Sequence, residues 1–262
     1  MELDVHGDNR GWFKENWQRE KMVAAGLPDF QPVQNNVSFN AEKGVTRGLH
    51  AEPWDKFVSV ASGRVFGAWC DLREGSATFG QLVTHEIGPE TAVFVPRGVA
   101  NGFQALEPCA YSYLVNDHWS PDAEYTCVNL DMVDWPLEPT EISDKDREHP
   151  ALGDVSPMPP RRILVTGANG QLGRALQKFL PSAGLGAVEF CGHEDFDITT
   201  PPARPWKQYS AIINCAAYND VNGAEDNRAS AWAVNADAPA KLARIAAENN
   251  LTLVHVLSLI HI

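Results

Sequence analysis

Positive charge is scarce in this sequence: 21 Lys and Arg stand against 34 Asp and Glu, a net charge of −13 over 262 residues. A pI near 5.0 excludes a general nucleic-acid or anionic-membrane binder, which needs a basic face. It leaves room for a nucleotide ligand, because two or three placed arginines hold a diphosphate inside an acidic protein. Long apolar runs are missing, and none approaches the roughly 18 residues of a membrane span. The opening MELDVHGDNRG lacks the basic start and apolar stretch of a signal peptide. Cysteine is sparse: Cys70, Cys109, Cys127, Cys191 and Cys215 are scattered, odd in number, and form no Cys-x-x-Cys pair. What is present, 44% hydrophobic residues, is an ordinary globular composition. These features predict a reduced, cytoplasmic chain of about two domains, with no nucleic-acid or membrane partner.

The first half consists of short apolar segments broken by turns. Lys56–Val60 and Val65–Leu72 flank Ala61-Ser62-Gly63-Arg64, Thr91–Val95 stops at Pro96, and Tyr111–Val115 follows. A helix is expected only over Glu15–Ala25, so residues 1–136 read as an all-β barrel or jelly roll. Residues 137–160, proline-rich and of mixed charge, read as a linker. Acidity concentrates ahead of it, with 10 basic and 19 acidic residues up to Pro136 and 11 and 15 after. From 161 to 262 the pattern becomes βα. Strands are expected at Ile163–Val165, Ala187–Phe190, Ala211–Ile213 and Leu251–Val256. Leu172, Leu176, Phe179 and Leu180 fall on one helical face, and Asp237 and Pro239 open a second helix running to Asn249. Strands alternating with helices imply a Rossmann-type doubly wound parallel sheet, incomplete where the sequence stops. The fold class is thus two-domain, β followed by α/β.

Gly167-Ala168-Asn169-Gly170-Gln171-Leu172-Gly173 spaces its glycines by three, directly after a strand and opening a helix. That context favours a pyrophosphate at the helix N-terminus. With Phe196-Asp197-Ile198-Thr199, Asn214-Cys215-Ala216-Ala217-Tyr218 and Val234-Asn235, the pattern resembles extended short-chain dehydrogenases, and more narrowly the dTDP-4-dehydrorhamnose reductase family. The resemblance implies NAD(P)H held by Gly167, Asn169, Gly170, Gln171, Leu172 and Gly173. Asp197 would lie near the adenine side, joined by Ala216, Ala217, Tyr218 and Asn235. Asp197 also reads as a turn or cap, and Asn235 as a buried amide serving the main chain. The family's Tyr-x-x-x-Lys pair is not found: no Tyr follows Tyr218 and no Lys follows Lys241. Reductase activity is therefore expected to be absent from this chain. Residues 257–262, Leu-Ser-Leu-Ile-His-Ile, can be encoded by a transposase-adaptor sequence, so a library artefact is expected there, with a longer natural reductase behind it.

In the first half, Asp8-x-Arg10-Gly11-x-Phe13-x-Glu15, Gln34-x-Asn36-x-Ser38, Arg47-Gly48-Leu49-His50, Lys56, Asp71-Leu72-Arg73, Ser76-x-Thr78-Phe79-Gly80, Tyr113 and Trp135-Pro136 occur in one order. They resemble the dTDP-4-dehydrorhamnose 3,5-epimerase family, a cupin-like jelly roll working without cofactor or catalytic metal. The resemblance implies a dTDP-4-keto-6-deoxy-sugar substrate and a homodimer through the jelly roll. His50 would be the base, imidazole being the side chain that titrates near neutrality. Tyr113 would be the acid on the opposite face, and Lys56 the stabiliser of the enolate oxygen. Arg10 and Arg47 would pair with the diphosphate, while Phe13, Glu15, Gln34 and Asn36 frame the nucleoside. Two positions depart from the pattern. Asn101 stands where the family has His, keeping hydrogen bonding without titration. The stretch before Trp135 is short, which makes Asp131 the expected partner of His50 and Asp134 the fallback. A cupin metal built on His50, His85 and His118 lacks ligand spacing. Single-position epimerisation and a non-catalytic nucleotide-sugar binding module stay open as alternatives.

Overall fold

The computed structural model describes residues 1–120, 123–182 and 187–257, in two compact units, Met1–Pro159 and Pro160–Ile262. The adaptor-like ending therefore lies, apart from Leu257, outside the described residues. No helix among these residues is long and apolar enough to cross a membrane.

The first unit opens on a hairpin, β1 (Val5–Asp8) and β2 (Gly11–Lys14). Helix α1 (Arg19–Ala24) follows, starting later than expected because Gln18 accepts the Lys21 N–H and caps it there. Nine strands come next: β3 (Gln34–Asn40), β4 (Thr46–Ala51), β5 (Lys56–Ser62), β6 (Val65–Asp71), β7 (Leu82–Ile87), β8 (Ala92–Val95), β9 (Val99–Ala105), β10 (Cys109–Val115) and β11 (Thr126–Cys127). They form two antiparallel sheets, β3-β10-β5-β8 and β11-β4-β9-β6-β7. The turn at Gly63 thus joins strands of different sheets, and β5 and β6 do not pair with each other.

Strand periodicity sorts the side chains between layers. On β6, Val65 and Trp69 enter a core shared with Val58 and Val60 of β5, Phe103 of β9 and Tyr111 of β10. That core draws on both sheets and lies between them. Ala68 and Cys70, on the opposite face of β6, join Leu49, Ala51, Ala100, Val128 and Leu130 in a second core. The segment expected to be a linker closes this second core. Ile142, Leu152 and Val155 pack against it, Met158 is buried in it, and bridges tie Glu141 to Val45 and Met158 to Arg73. Residues 137–159 belong to the first unit because their scattered apolar side chains cover the outer face of the five-stranded sheet. They also carry a one-turn helix, α2 (Asp144–Arg147), capped by Ser143.

The second unit is a parallel sheet of order β13-β12-β14-β15, with β12 (Arg162–Thr166), β13 (Val188–Cys191), β14 (Tyr209–Asn214) and β15 (Thr252–His255). Its helices are α3 (Gln171–Phe179), α4 (Val221–Asp226), α5 (Arg228–Trp232) and α6 (Ala238–Glu248). Leu164, Phe196, Ile198, Ile212 and Leu242 fill its core. Two expectations fail locally. Asp237 caps nothing, because the chain is already helical on both sides of it. Gly173 is the buried position of α3, so the helix turns its Leu172 and Phe179 outward, 38% and 70% exposed.

Candidate active site

A cavity of about 390 Å³ is lined by His50, Glu52, Lys56, Asn101, Tyr113 and Asp146 among others. Period-2 alternation delivers these residues: His50 and Glu52 flank Ala51, Lys56 precedes buried Val58, and Tyr113 follows Tyr111 on one face of β10. A register shift between Arg47 and His50 re-aims β4 at this point. Gly48 has φ +112°, and a Cβ there would meet the Gly102 Cα at 2.6 Å. Only glycine lets β4 approach β9 so closely.

His50 Nε2 lies 2.8 Å from Asp146 Oδ1, and Asp146 Oδ2 accepts the Gly48 N–H at 3.1 Å. Burial pushes the Asp146 carboxyl up, but the His50 hydrogen bond, the Gly48 N–H and the neighbouring imidazoles outweigh it and hold it below its ordinary range. This corrects the choice of Asp131. That residue is exposed at the start of a short 3-10 turn, where its own N–H is capped by Asn129. Asp134 is exposed as well. The sequence did carry a signal for Asp146: Ser143-x-x-Asp146 is a helix-start pattern, hidden inside the apparent linker.

On the other sheet, Lys56 Nζ forms a buried ion pair with Glu52 at 2.8 Å, the two side chains being 6% and 11% exposed. The ammonium sits 5.4 Å from the Tyr113 ring centroid. Burial, then the Glu52 charge, pushes the Tyr113 phenol above its ordinary pKa, so at neutral pH it is a proton donor. Glu52 was not singled out from sequence, because its role appears only when the Pro53 turn brings it onto Lys56. Asn101 is 8% exposed, and its Oδ1 accepts both Trp69 Nε1–H at 2.9 Å and Tyr111 O–H at 3.0 Å. It anchors the pocket wall.

The remaining expected ligands divide. Arg47 lines the cavity and donates to Asn40 Oδ1 at 2.9 Å. Gln34 and Asn36 lie on β3 and bond to each other at 2.8 Å. Arg10, Phe13 and Glu15 are not brought to this cavity. Arg10 pairs with Asp8 in the hairpin turn, and Glu15 pairs with Lys21. Phe13 is 69% exposed, and with Glu15 it lines a separate cavity beside the N-terminus. The Asp71–Gly80 motif is structural: Asp71 accepts from Arg73, Ser76 and Thr78, a closed network that fixes a turn.

In the second unit Gly167 has φ +67°, and a Cβ on it would meet the Ala216 N at 2.5 Å. The glycine loop and the turn after β14 are therefore in backbone contact at the carboxyl ends of neighbouring strands. No side chain caps the start of α3 at Gly170, where Asn169, Gln171 and Leu172 are exposed. Asp197 accepts from Thr199 N–H and Oγ1–H, both at 2.8 Å, which makes it a turn residue here. Asn235 exchanges two hydrogen bonds with the Tyr218 backbone, but it is exposed, not buried. Ala217 is exposed on the same loop.

The comparisons with known proteins divide the chain at the same place as the structure. The family described as dTDP-4-dehydrorhamnose 3,5-epimerase matches residues 1–154, and the RmlD substrate binding domain matches residues 161–258. A protein RmlC homolog of Streptococcus pyogenes is 51% identical over 176 residues, covering 62% of this chain and 88% of the relative. The structure of RmlC from Streptococcus suis in complex with dTDP-D-xylose is 52% identical, with TM-score 0.57 over 60% of this chain and 87% of that one. ChmJ of Streptomyces bikiniensis, a 3'-monoepimerase solved with dTDP-quinovose, is 29% identical, with TM-score 0.53 over 58% of this chain and 82% of that one. With its first 154 residues matched and His50, Lys56, Tyr113 and Asp146 around one cavity, the chain belongs to the dTDP-4-dehydrorhamnose 3,5-epimerase family.

Proposed function

We propose that the first unit epimerises dTDP-4-dehydro-6-deoxy-glucose at C3 and C5, a step toward dTDP-L-rhamnose. One observation carries the reading: the His50–Asp146 pair and the Lys56–Tyr113 pair open on one cavity from opposite sheets. Protons α to the C4 ketone are acidified, so a base on one face and an acid on the other invert each centre through an enolate. Asp146 fixes the His50 tautomer, Lys56 faces the developing oxyanion, and Tyr113 returns the proton. Arg47 stands at the cavity rim for the diphosphate.

We read the two antiparallel sheets as a cupin-like jelly roll and the parallel sheet as a Rossmann-type fold. Val37 and Phe39 on edge strand β3, 64% and 68% exposed, support a homodimer through the jelly roll. Arg10, Phe13 and Glu15 would then serve a site shared between copies. Five free cysteines suit the cytoplasm. The glycine loop fits a dinucleotide pyrophosphate: Gly167, Asn169, Gly170, Gln171, Leu172 and Gly173 would hold it, with Ala216 close to the backbone. NAD(P)H bound there would supply hydride. This 262-residue chain, without a Tyr-x-x-x-Lys pair, is expected to show no substrate-dependent NAD(P)H oxidation.

The epimerase reading is tested by solvent exchange in D₂O followed by NMR. Deuterium is expected at both C3 and C5 of the dTDP-sugar, and an unexchanged substrate would defeat the reading. A second reading, epimerisation at one carbon, is favoured by the likeness to a 3'-monoepimerase and by Asn101; label at C3 alone would establish it. Tight dTDP binding without exchange would mark a binding module.

A further inference from the structure

We propose that His50, Cys127 and His149 form a site for a zinc-class divalent cation, and that the cation shuts the epimerase site by occupying its base. Binding stands on the geometry alone, whereas the inhibition rests on the reading of His50 as the base. His50 and Cys127 are directly opposite in the β4–β11 pair, where side chains on one face stand close. His149, just beyond α2, packs edge-on against the His50 ring with centroids 5.1 Å apart. One ring nitrogen of each histidine and the Cys127 Sγ lie within 4.8 Å of one another.

A second observation points to a ligand. The His149 side chain is 7% exposed, and neither of its ring nitrogens finds a hydrogen-bond partner of good geometry. A buried imidazole whose nitrogens lack well-formed hydrogen bonds is costly, and coordination removes that cost. Asp146 stands 2.8 Å from His50 Nε2 and 3.9 Å from His149 Nε2. A carboxylate hydrogen-bonded to the far ring nitrogen is the partner that metal-ligating histidines carry, and Asp146 is that partner for His50. Two imidazoles and a thiol select zinc, cobalt or cadmium over magnesium and calcium. A tetrahedral ion draws its donors to about 3.5 Å apart. The segment carrying His149 supplies that contraction, since β4 and β11 are pinned in a sheet. As the metal–sulfur bond forms, the Cys127 thiol proton leaves to solvent.

Cobalt titration of the full chain tests the site. The expected result is one Co²⁺ per chain with a thiolate-to-cobalt charge-transfer band, displaced by one equivalent of Zn²⁺. The band should vanish in Cys127→Ser, and affinity should fall at least about tenfold in His149→Gln. Zn²⁺ should slow deuterium exchange at least about tenfold relative to the metal-free chain, with EDTA restoring the rate and Mg²⁺ having no effect. No band, or a band that survives Cys127→Ser, overturns the site. A band with undiminished exchange overturns the inhibitory role. Because cobalt binding is read without substrate, a failure of the epimerase reading leaves this test intact.

Discussion

Replacing His50 with asparagine is expected to abolish deuterium incorporation at both carbons, and Asp146→Asn to lower kcat/KM about 10³–10⁴-fold. The asparagine side chain cannot titrate, so the first change removes the proposed base outright. The second keeps the shape of Asp146 but loses its charge, and with it the tautomer and orientation of the imidazole. Since the two residues act as one device, the double variant should be no worse than His50→Asn alone. Asp131→Asn is the control and should leave the rate unchanged, its side chain being exposed and away from the cavity. A loss in Asp131→Asn, with activity kept in Asp146→Asn, would reverse the assignment. The pH dependence has a definite sign. The Asp146 carboxyl is held below its ordinary range, so the stability it contributes is present above the ordinary carboxylate pKa of about 3.9 and is lost as pH falls through the depressed value. Activity lost between pH 7 and 5 therefore does not report Asp146. In Asp146→Asn, the acid unfolding midpoint should move toward neutral pH.

Several strands and the candidate base His50 were legible because their signals are local. The apolar runs of β5 and β6, broken at Ala61-Ser62-Gly63-Arg64, and the Arg47-Gly48-Leu49-His50 segment need no knowledge of distant contacts. Partners were not legible in the same way. Asp146 lies 96 residues from His50, in a stretch whose prolines and mixed charge mask the apolar residues that pack it down. Its Ser143 cap could have marked a helix but not its target. Glu52 and His149 gain meaning only from burial, which spacing does not reveal. Arg10, Phe13 and Glu15 show the opposite case: a pattern legible in sequence that this single chain does not bring to the cavity.

Lys56→Met is expected to damage both stability and catalysis, and the two can be separated. Lys56 and Glu52 neutralise each other inside the wall of the cavity. Removing the ammonium leaves a buried carboxylate whose neighbour is the Trp54 Nε1–H, and breaking such a pair costs about 3–5 kcal/mol. A fall in thermal midpoint should therefore accompany the loss of charge. Adding Glu52→Gln removes the stranded carboxylate, and the double variant should recover most of the midpoint, because replacing a whole buried pair is often neutral. The rate should not recover. If Lys56 faces the enolate oxygen, losing that charge costs about 10²–10³ in kcat, as for one oxyanion donor, and glutamine cannot replace it. KM should move less than kcat, since the interaction grows as the enolate forms. A double variant that regains the rate along with the midpoint would make Lys56 a structural counter-ion. The enolate would then need another donor, and Tyr113, its phenol kept protonated by burial and the Glu52 charge, is a group on that sheet able to give a hydrogen bond.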